Sequence, residues 1–292
     1  MLQQTRVAAV IPYYERFLSA FPNPAALAAA NEEQVLTMWS GLGYYSRARN
    51  MHKTAKKVAE IDHFPCVFDA IRVLPGVGDY TAAAISSIAF GLPHAAVDGN
   101  VRRVIVRLLN NDVADVQANA ELLLDRRDPG RWNQAMMELG ATVCTPRAPH
   151  CGACPLARFC EARRHGTQNS LPSKRLKPAP ERLERTLLVI RERNRILLTP
   201  SARVKGFWDL PELRSSRSIA NQLDGIRVAD CLGSFRHTIT HRHYKFTVYG
   251  GIARKCLLNQ RGAKLYRWVA DGKLDEIALS TTAKKALRCL KQ

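Results

Sequence analysis

The sequence lacks a long apolar run. Although 46% of its 292 residues are apolar, the stretch at residues 82–90 is interrupted by serines and is far shorter than the roughly 18 to 20 residues that cross a bilayer. Residues 1–6 carry neither the basic start nor the apolar core of a secretory signal. We therefore expect a globular, cytoplasmic protein without a membrane span.

Acidic residues are scarce. The chain holds 44 Lys and Arg against 25 Asp and Glu, which gives a net charge of +19. Residues 1–165 are nearly balanced, with 18 basic and 15 acidic side chains, whereas residues 166–292 hold 26 and 10. This excess is larger than solubility requires and favours a polyanionic partner such as nucleic acid; a solubilising surface is the alternative.

The apolar pattern divides the chain. Helical spacing persists to about residue 143 and predicts an all-α first domain over residues 1–165. Residues 166–184 are polar, basic and Pro-rich, as in a linker. Residues 185–292 contain short strand-like runs at 186–190, 196–198 and 244–249, with a closing helix at 281–290. The second domain is therefore predicted to be α+β.

Eight cysteines without a secretion signal argue against a disulfide framework. Four are isolated and are predicted to be free thiols: Cys66, Cys231, Cys256 and Cys289. The other four follow the spacing C-x6-C-x2-C-x5-C: Cys144, Cys151, Cys154 and Cys160. Four thiolates suit zinc or a 4Fe-4S cluster, and the single x2 gap favours the cluster while zinc stays open. Four arginines near these ligands would present positive charge to phosphates: Arg147, Arg158, Arg163 and Arg164.

Two further sequence features indicate a binding or catalytic role. The segment Leu74-Pro75-Gly76-Val77-Gly78 is typical of a helix-hairpin-helix turn, whose backbone N–H groups can meet a phosphate, although an ordinary helix connector has the same pattern. Asp98 precedes a helical segment, where an N-cap is the plain interpretation. A carboxylate in that position could also stabilise a cationic sugar while a glycosidic bond breaks.

Together these residues resemble the helix-hairpin-helix base-excision glycosylases, and specifically adenine DNA glycosylases of the MutY type. The matching motifs lie at residues 1–5, 39–50, 74–81, 98–101 and 133–137. The resemblance covers residues 1–165 strongly and the remainder more loosely. It implies an all-α helix-hairpin-helix glycosylase domain with a 4Fe-4S cluster loop, followed by an α+β Nudix-like domain.

The family removes adenine opposite 8-oxoguanine or guanine in duplex DNA by flipping the adenine out and hydrolysing its N-glycosidic bond. The resemblance implies that Asp98 stabilises the oxocarbenium ion and that Asn100 assists it. Other matching positions are implied to contact DNA: Gln3, Gln4, Tyr44, Leu74, Gly76, Val77, Gly78 and Tyr80. A monomer associated with the nucleoid is expected.

Two departures bear on activity. The related endonuclease III family has a nucleophilic lysine where this chain has Tyr80, so a monofunctional hydrolytic enzyme is expected, without a Schiff base. The family's general-acid glutamate would lie just before Met1 and is absent from the chain. The polypeptide as written is therefore expected to be nearly inactive, or else the natural start lies upstream.

The second domain resembles the Nudix-like module that these glycosylases use to recognise 8-oxoguanine, without the hydrolase box. Thr240 and His241 match the lesion-recognition loop, and Ile239 stands where the family has an aromatic residue. Three alternatives stay open: an endonuclease III-like glycosylase, a non-catalytic mismatch-binding protein and a zinc-binding regulator.

Overall fold

The computed structural model describes residues 1–173, 179–213, 226–253 and 266–291. The chain divides into two compact units, one formed by Met1–Ala59 with Pro178–Gln292 and the other by Glu60–Lys177. Of the predicted features, Cys256 and part of the linker lie outside the described residues. The predicted domain boundaries at residues 165 and 185 stay a proposal.

The first unit begins with four helices: α1 (Val7–Ala20), α2 (Pro24–Ala29), α3 (Glu32–Trp39) and α4 (Ser46–Ile61). Helix α3 starts with a reciprocal capping box in which Asn31 and Gln34 bond each other's backbone N–H groups. Leu36 and Trp39 of α3 are buried with Phe207 in one apolar cluster. The N-terminal helices therefore share a core with the C-terminal part of the same unit.

The rest of this unit is a mixed sheet and a final helix. Its described strands are β1 (Glu181–Glu192), β2 (Arg195–Pro200), β3 (Trp208–Asp209), β4 (Glu212–Leu213), β5 (Ile226–Ile239), β6 (Arg242–Ala253) and β7 (Arg267–Ala270). The main order is β3-β2-β1-β6-β5, with β4 paired to β1 and β7 to β2. Strands β1 and β6 are parallel, and the other pairs are antiparallel. Helix α11 (Thr281–Arg288) contributes Ala283 and Ala286 to the core beneath the sheet.

The second unit is helical: α5 (Phe68–Arg72), α6 (Asp79–Phe90), α7 (Gly99–Leu109), α8 (Val116–Leu123), α9 (Pro129–Glu138) and α10 (Glu161–Arg164). A π-helical turn, Leu139–Val143, extends α9, and two short 3-10 turns, Cys151–Ala153 and Ala157–Phe159, lie between the cysteines. Helix α7 is central, because Val101, Val104 and Ile105 lie in the unit's apolar cluster.

The predicted fold classes are confirmed. Residues up to 164 are helical, the predicted strand runs fall within β1, β2 and β6, and the closing helix is α11. Strand β1 begins at Glu181, inside the predicted linker, because pairing with β6 extends to Arg242 and is joined by an Arg242–Glu181 ion pair of 2.9 Å. Among the described residues no helix is long and apolar enough to cross a membrane.

Candidate active site and iron–sulfur centre

Asp98 caps the start of α7. Its backbone is extended, and its Oδ1 accepts hydrogen bonds from the N–H groups of Asn100 (2.8 Å) and Val101 (2.7 Å). Its Oδ2 accepts a bond from Asn100 Nδ2 at 3.2 Å. The predicted cap is confirmed. These bonds hold the carboxylate in one orientation at the positive end of a helix, where an anion is stabilised.

The segment leading to Asp98 is fixed from behind by Asn133 of α9. The Asn133 side chain is fully buried, and its Oδ1 accepts from the Ala96 N–H at 2.8 Å. Its Nδ2 donates to Ser87 Oγ (2.8 Å) and to the His94 carbonyl (2.9 Å). One amide thus ties α6, α9 and residues 94–96 together directly before the carboxylate.

Arg103 connects the Asp98 region to the cysteine segment. Its Nη2 donates to Asn100 Oδ1 (2.9 Å) and to the Gly140 carbonyl (2.7 Å), while its Nε donates to the Cys144 carbonyl (2.7 Å). Burial is the main cause that lowers the pKa of the Arg103 guanidinium, and the nearby Cys144 thiol and Asp98 act in the opposite direction. All of these acceptors lie in the second unit, so contacts within that unit fix the position of the Arg103 side chain.

Gly140 allows this close approach. A Cβ added at Gly140 would lie 2.6 Å from Asn100 Cβ and 3.0 Å from its carbonyl carbon. No side chain fits in that space without a shift of the backbone. The π-helical turn therefore packs its glycine directly on the residue that bonds Asp98.

The predicted hairpin turn lies between α5 and α6. Leu74 is buried and accepts from the Val77 N–H at 3.1 Å, and Gly76 has φ = 76°. Gly78 is the N-cap of α6, and no side chain caps this helix start. A helix start capped by glycine leaves room for a backbone or phosphate group to approach its N–H groups.

Tyr80 lies in the first turn of α6. Its hydroxyl donates to Met137 Sδ at 3.3 Å. Burial is the main cause that raises the pKa of this phenol, and the charge of Asp98 raises it further. The structure therefore brings Tyr80 into the electrostatic environment of Asp98 as a protonated, neutral group.

The four clustered cysteines line one small cavity of about 20 Å³. Arg107 of α7 holds this segment, because its Nη1 donates to Cys144 Sγ (3.3 Å) and to the Thr145 carbonyl (2.8 Å), and Cys160 Sγ donates to the Arg107 carbonyl (3.4 Å). Within the described residues, no three His, Cys, Asp or Glu side chains are gathered closely enough to hold a single metal ion. Four thiols that line one cavity could hold a 4Fe-4S cluster, which takes four cysteine ligands.

In the first unit, two predicted DNA-contacting segments meet at Arg47. Its guanidinium donates to the carbonyls of residues at the start of the chain and of the turn before α4, and Tyr44 stacks beside it. Gln4 and Tyr44 are exposed and have left-handed backbones, with φ = 57° and 48°. Gln3 is exposed as well, and its carbonyl is among the acceptors of Arg47.

Thr240 and His241 form the exposed tip of the β5–β6 hairpin. Thr240 has φ = 54°, and its Oγ1 donates to the Ile239 carbonyl at 2.7 Å. Ile239 packs against the core of the sheet. An apolar aliphatic residue is suited to that position, whereas the threonine hydroxyl remains at the surface.

Sequence reasoning missed the arginines at positions 47, 103 and 107. Arg103 and Arg107 are spaced by four on α7 among valines and isoleucines, and both are buried. A charged residue that repeats within an apolar helical stripe signals a buried hydrogen-bonding role. For Arg47 the sequence contains no comparable signal.

Two family models match the chain. Residues 1–126 match the HhH-GPD superfamily of base excision DNA repair proteins, and residues 144–160 match the iron–sulfur binding domain of endonuclease III. These matches agree with the hairpin turn, the capping aspartate and the cysteine cavity. The fold and site thus define an iron–sulfur helix-hairpin-helix glycosylase.

Similar proteins of known function identify the family within this class of glycosylases. The chain is 32% identical over 258 residues to an adenine DNA glycosylase of Buchnera aphidicola subsp. Baizongia pistaciae, with 82% of this chain and 73% of the relative covered. It is 46% identical over 182 residues to the human adenine DNA glycosylase, with 59% of this chain covered but only 33% of the human protein. The chain belongs to the adenine DNA glycosylase family, and its cysteine motif is the family's 4Fe-4S binding segment.

Two solved structures are similar over the same region. A thermostable thymine-DNA glycosylase aligns with TM-score 0.53 and 26% identity, covering 56% of this chain and 80% of that one. A non-covalent endonuclease III–DNA complex aligns with TM-score 0.51 and 27% identity, at the same coverage of both chains.

Proposed function

We propose that this protein excises adenine opposite 8-oxoguanine or guanine in duplex DNA, in base excision repair. The observation that carries the proposal is the orientation of Asp98. Its carboxylate is held by two backbone N–H groups and by Asn100, in a family of adenine DNA glycosylases. The solved endonuclease III structure of similar fold is a complex with DNA, which supports DNA as the partner.

Asp98 would act by charge. As the bond between adenine and deoxyribose breaks, positive charge grows on the sugar ring, and a carboxylate fixed nearby stabilises it without reorganising. Asn100 keeps Oδ2 in place, and Arg103 in turn keeps Asn100 in place. The residue that touches the sugar would be Asp98, with the other two as positioning residues.

Tyr80 supports a monofunctional enzyme. A lyase of this fold class needs an amine that attacks the sugar and forms a Schiff base. The Tyr80 phenol has a raised pKa and donates to Met137, so it is neither an amine nor a phenolate nucleophile. Borohydride should therefore trap no covalent adduct between this protein and DNA.

The cysteine segment would shape a DNA-binding surface. Cys144, Cys151, Cys154 and Cys160 would hold the cluster, which chiefly crosslinks a loop that has little apolar core of its own. Four exposed arginines lie on or beside this loop, where they could neutralise phosphates: Arg147, Arg158, Arg163 and Arg164.

Mispair recognition would use the first unit. Gln3, Gln4 and Tyr44 are exposed and belong to adjoining turns, as residues that enter a base stack must be. Thr240 offers a hydroxyl at the tip of a hairpin, suited to reading the edge of 8-oxoguanine. The assignment of the sheet region as Nudix-like stays part of this proposal.

Hydrolysis also requires a proton on the departing base. Within the described part of its unit, the hydrogen-bond partners of Asp98 are backbone N–H groups and Asn100, and none is a carboxylic acid. A general acid contributes on the order of 10² to 10⁴ in rate. We therefore expect adenine release to depend on a proton donor other than the groups that hold Asp98.

Single-turnover incubation with excess protein tests the proposal. Duplexes carrying adenine opposite 8-oxoguanine, guanine or thymine are followed for free adenine over hours, with Asp98→Asn as the matched variant. We expect release opposite 8-oxoguanine and guanine, none opposite thymine, and none with Asp98→Asn. Release of an oxidised pyrimidine or a trapped adduct would instead support an endonuclease III-like enzyme. Tight binding without any release would support a mismatch-binding protein.

A further inference from the structure

Arg47, in the first turn of α4, lies between two segments that are distant in sequence. On one side are residues 1–5, and on the other is the turn at Gly43 and Tyr44. The Arg47 Nη1 donates to the carbonyls of Met1 (2.7 Å) and Gln3, and its Nη2 donates to Thr5 Oγ1 (3.0 Å).

The same guanidinium also holds the second turn. Its Nη2 donates to the Gly43 carbonyl (3.2 Å) and its Nε to the Tyr44 carbonyl (3.4 Å). The guanidinium carbon lies 5.1 Å from the centre of the Tyr44 ring and 5.5 Å from that of the buried Trp39. Arg47 is partly buried, and this burial is the main cause that lowers the pKa of its guanidinium, while Tyr44 acts in the opposite direction.

The donor count excludes a direct contact with phosphate. A guanidinium has five N–H donors, and those of Arg47 have five acceptors within the protein: the carbonyls of Met1, Gln3, Gly43 and Tyr44, and the Thr5 hydroxyl. No donor remains for DNA. Lysine could not replace this arrangement, because it has three donors and no planar fork.

Both segments contain a backbone conformation that needs support. Gln4 and Tyr44 lie in the left-handed region, which is uncommon and strained for residues other than glycine. Gln3 precedes Gln4, and Gly43 precedes Tyr44. The carbonyls of both preceding residues accept hydrogen bonds from Arg47. The hydrogen bonds therefore lie where they oppose relaxation of the strained turns.

We propose that Arg47 is a positioning residue for mispair recognition, which clamps the Gln3–Gln4 turn to the Gly43–Tyr44 turn so that Gln4 and Tyr44 meet DNA as one preorganised unit. This inference rests on the proposed function. It assigns to Arg47 no contact with DNA and no part in the chemical step. Because preorganisation reduces the cost of ordering on binding, its loss weakens specific binding more than general attraction to DNA.

The test compares affinities for two duplexes in which 2′-fluoro-2′-deoxyadenosine, which resists hydrolysis, stands opposite 8-oxoguanine or thymine. The variants are Arg47→Lys, which keeps the charge, and Arg47→Met, which removes it. Lys53→Met is the control, because Lys53 is exposed on the same helix and its loss changes the charge equally. Thr5→Val removes a single acceptor of Arg47 and serves as a mild second variant.

We expect the preference for the 8-oxoguanine duplex to fall about tenfold in Arg47→Lys and Arg47→Met, and by a smaller factor in Thr5→Val. Affinity for the thymine duplex should stay at the parent's value in Arg47→Lys. In Arg47→Met the affinity for the thymine duplex should fall only as far as it does in Lys53→Met. The Lys53→Met variant should keep the parent's preference for the 8-oxoguanine duplex.

Two results would overturn the inference: parental preference in Arg47→Lys, or equal losses on both duplexes in Arg47→Met beyond those of Lys53→Met. Should Arg47→Met fail to fold, Arg47→Lys and Thr5→Val decide the matter. A parent protein that shows no preference between the duplexes would refute the proposed function itself, which is a distinct outcome.

Discussion

Asn133→Leu should loosen the segment that carries Asp98. Leucine has a similar size but no polar atoms, so the substitution removes all three hydrogen bonds of the Asn133 amide. The Ala96 N–H loses its partner in a fully buried position, and the His94 carbonyl loses its partner in a half-buried one.

The size of the expected destabilisation follows from the two groups that lose a partner, the Ala96 N–H and the His94 carbonyl. A buried donor left without a partner costs about 1 to 3 kcal/mol, and a partly hydrated carbonyl costs less. A loss of about 2 to 4 kcal/mol in the free energy of opening is therefore expected around residues 94–98. At 1.4 kcal/mol per tenfold change, exchange of the Ala96 amide hydrogen should accelerate by roughly 30-fold to 10³-fold.

Hydrogen–deuterium exchange read by mass spectrometry measures this directly. Gln134→Leu is the matched control, because Gln134 is the exposed neighbour and makes one bond, to the Gly130 carbonyl. That variant should leave exchange at residues 94–98 unchanged. Parental exchange in Asn133→Leu would refute the role given to this amide.

Three further changes have defined outcomes. Gly140→Ala places a methyl group 2.6 Å from Asn100 Cβ, so it should destabilise the second unit by about 1 to 3 kcal/mol in urea unfolding, and parental stability would contradict this packing. Thr240→Val should reduce the preference for 8-oxoguanine over guanine in adenine-duplex binding, and an unchanged preference would reject the hydroxyl contact. Burial, and then the charge of Lys285, lower the pKa of His237. The unfolded chain therefore binds a proton more readily, so stability present above about pH 6.5 should be lost as pH falls through the folded pKa. His237→Gln should flatten this dependence in urea titrations between pH 7 and 5, and an unaltered slope would exclude His237.

Local patterns in the sequence predicted the helical region and the parts of the site that lie close in the chain. Helical spacing identified α7, and the position of Asp98 before it predicted the cap that the structure contains. The cysteine spacing predicted that four thiols serve one metal centre, and the structure places all four around one cavity. Each of these features depends on residues that are close together in the chain, so a local sequence pattern is enough to predict it.

The features that escaped prediction depend on distant residues. Strand β5 has irregular register around Cys231 and Gly233, which destroys the two-residue alternation that marks a strand. The parallel pairing of β1 with β6 joins segments about 60 residues apart. Arg103 and Arg47 were missed for the same reason, since their acceptors lie on other elements.

The central claim is that the Asp98 carboxylate stabilises a positively charged sugar, and binding can test it without dependence on a general acid. A duplex with a pyrrolidine nucleotide opposite 8-oxoguanine presents a ring cation, and the tetrahydrofuran analogue presents a neutral ring of the same shape. The parent protein should bind the cationic duplex more tightly, and Asp98→Asn should reduce that preference by about tenfold or more, as expected for a charge-assisted contact. Equal preference in the parent and in Asp98→Asn would contradict the role of Asp98 on which the account depends.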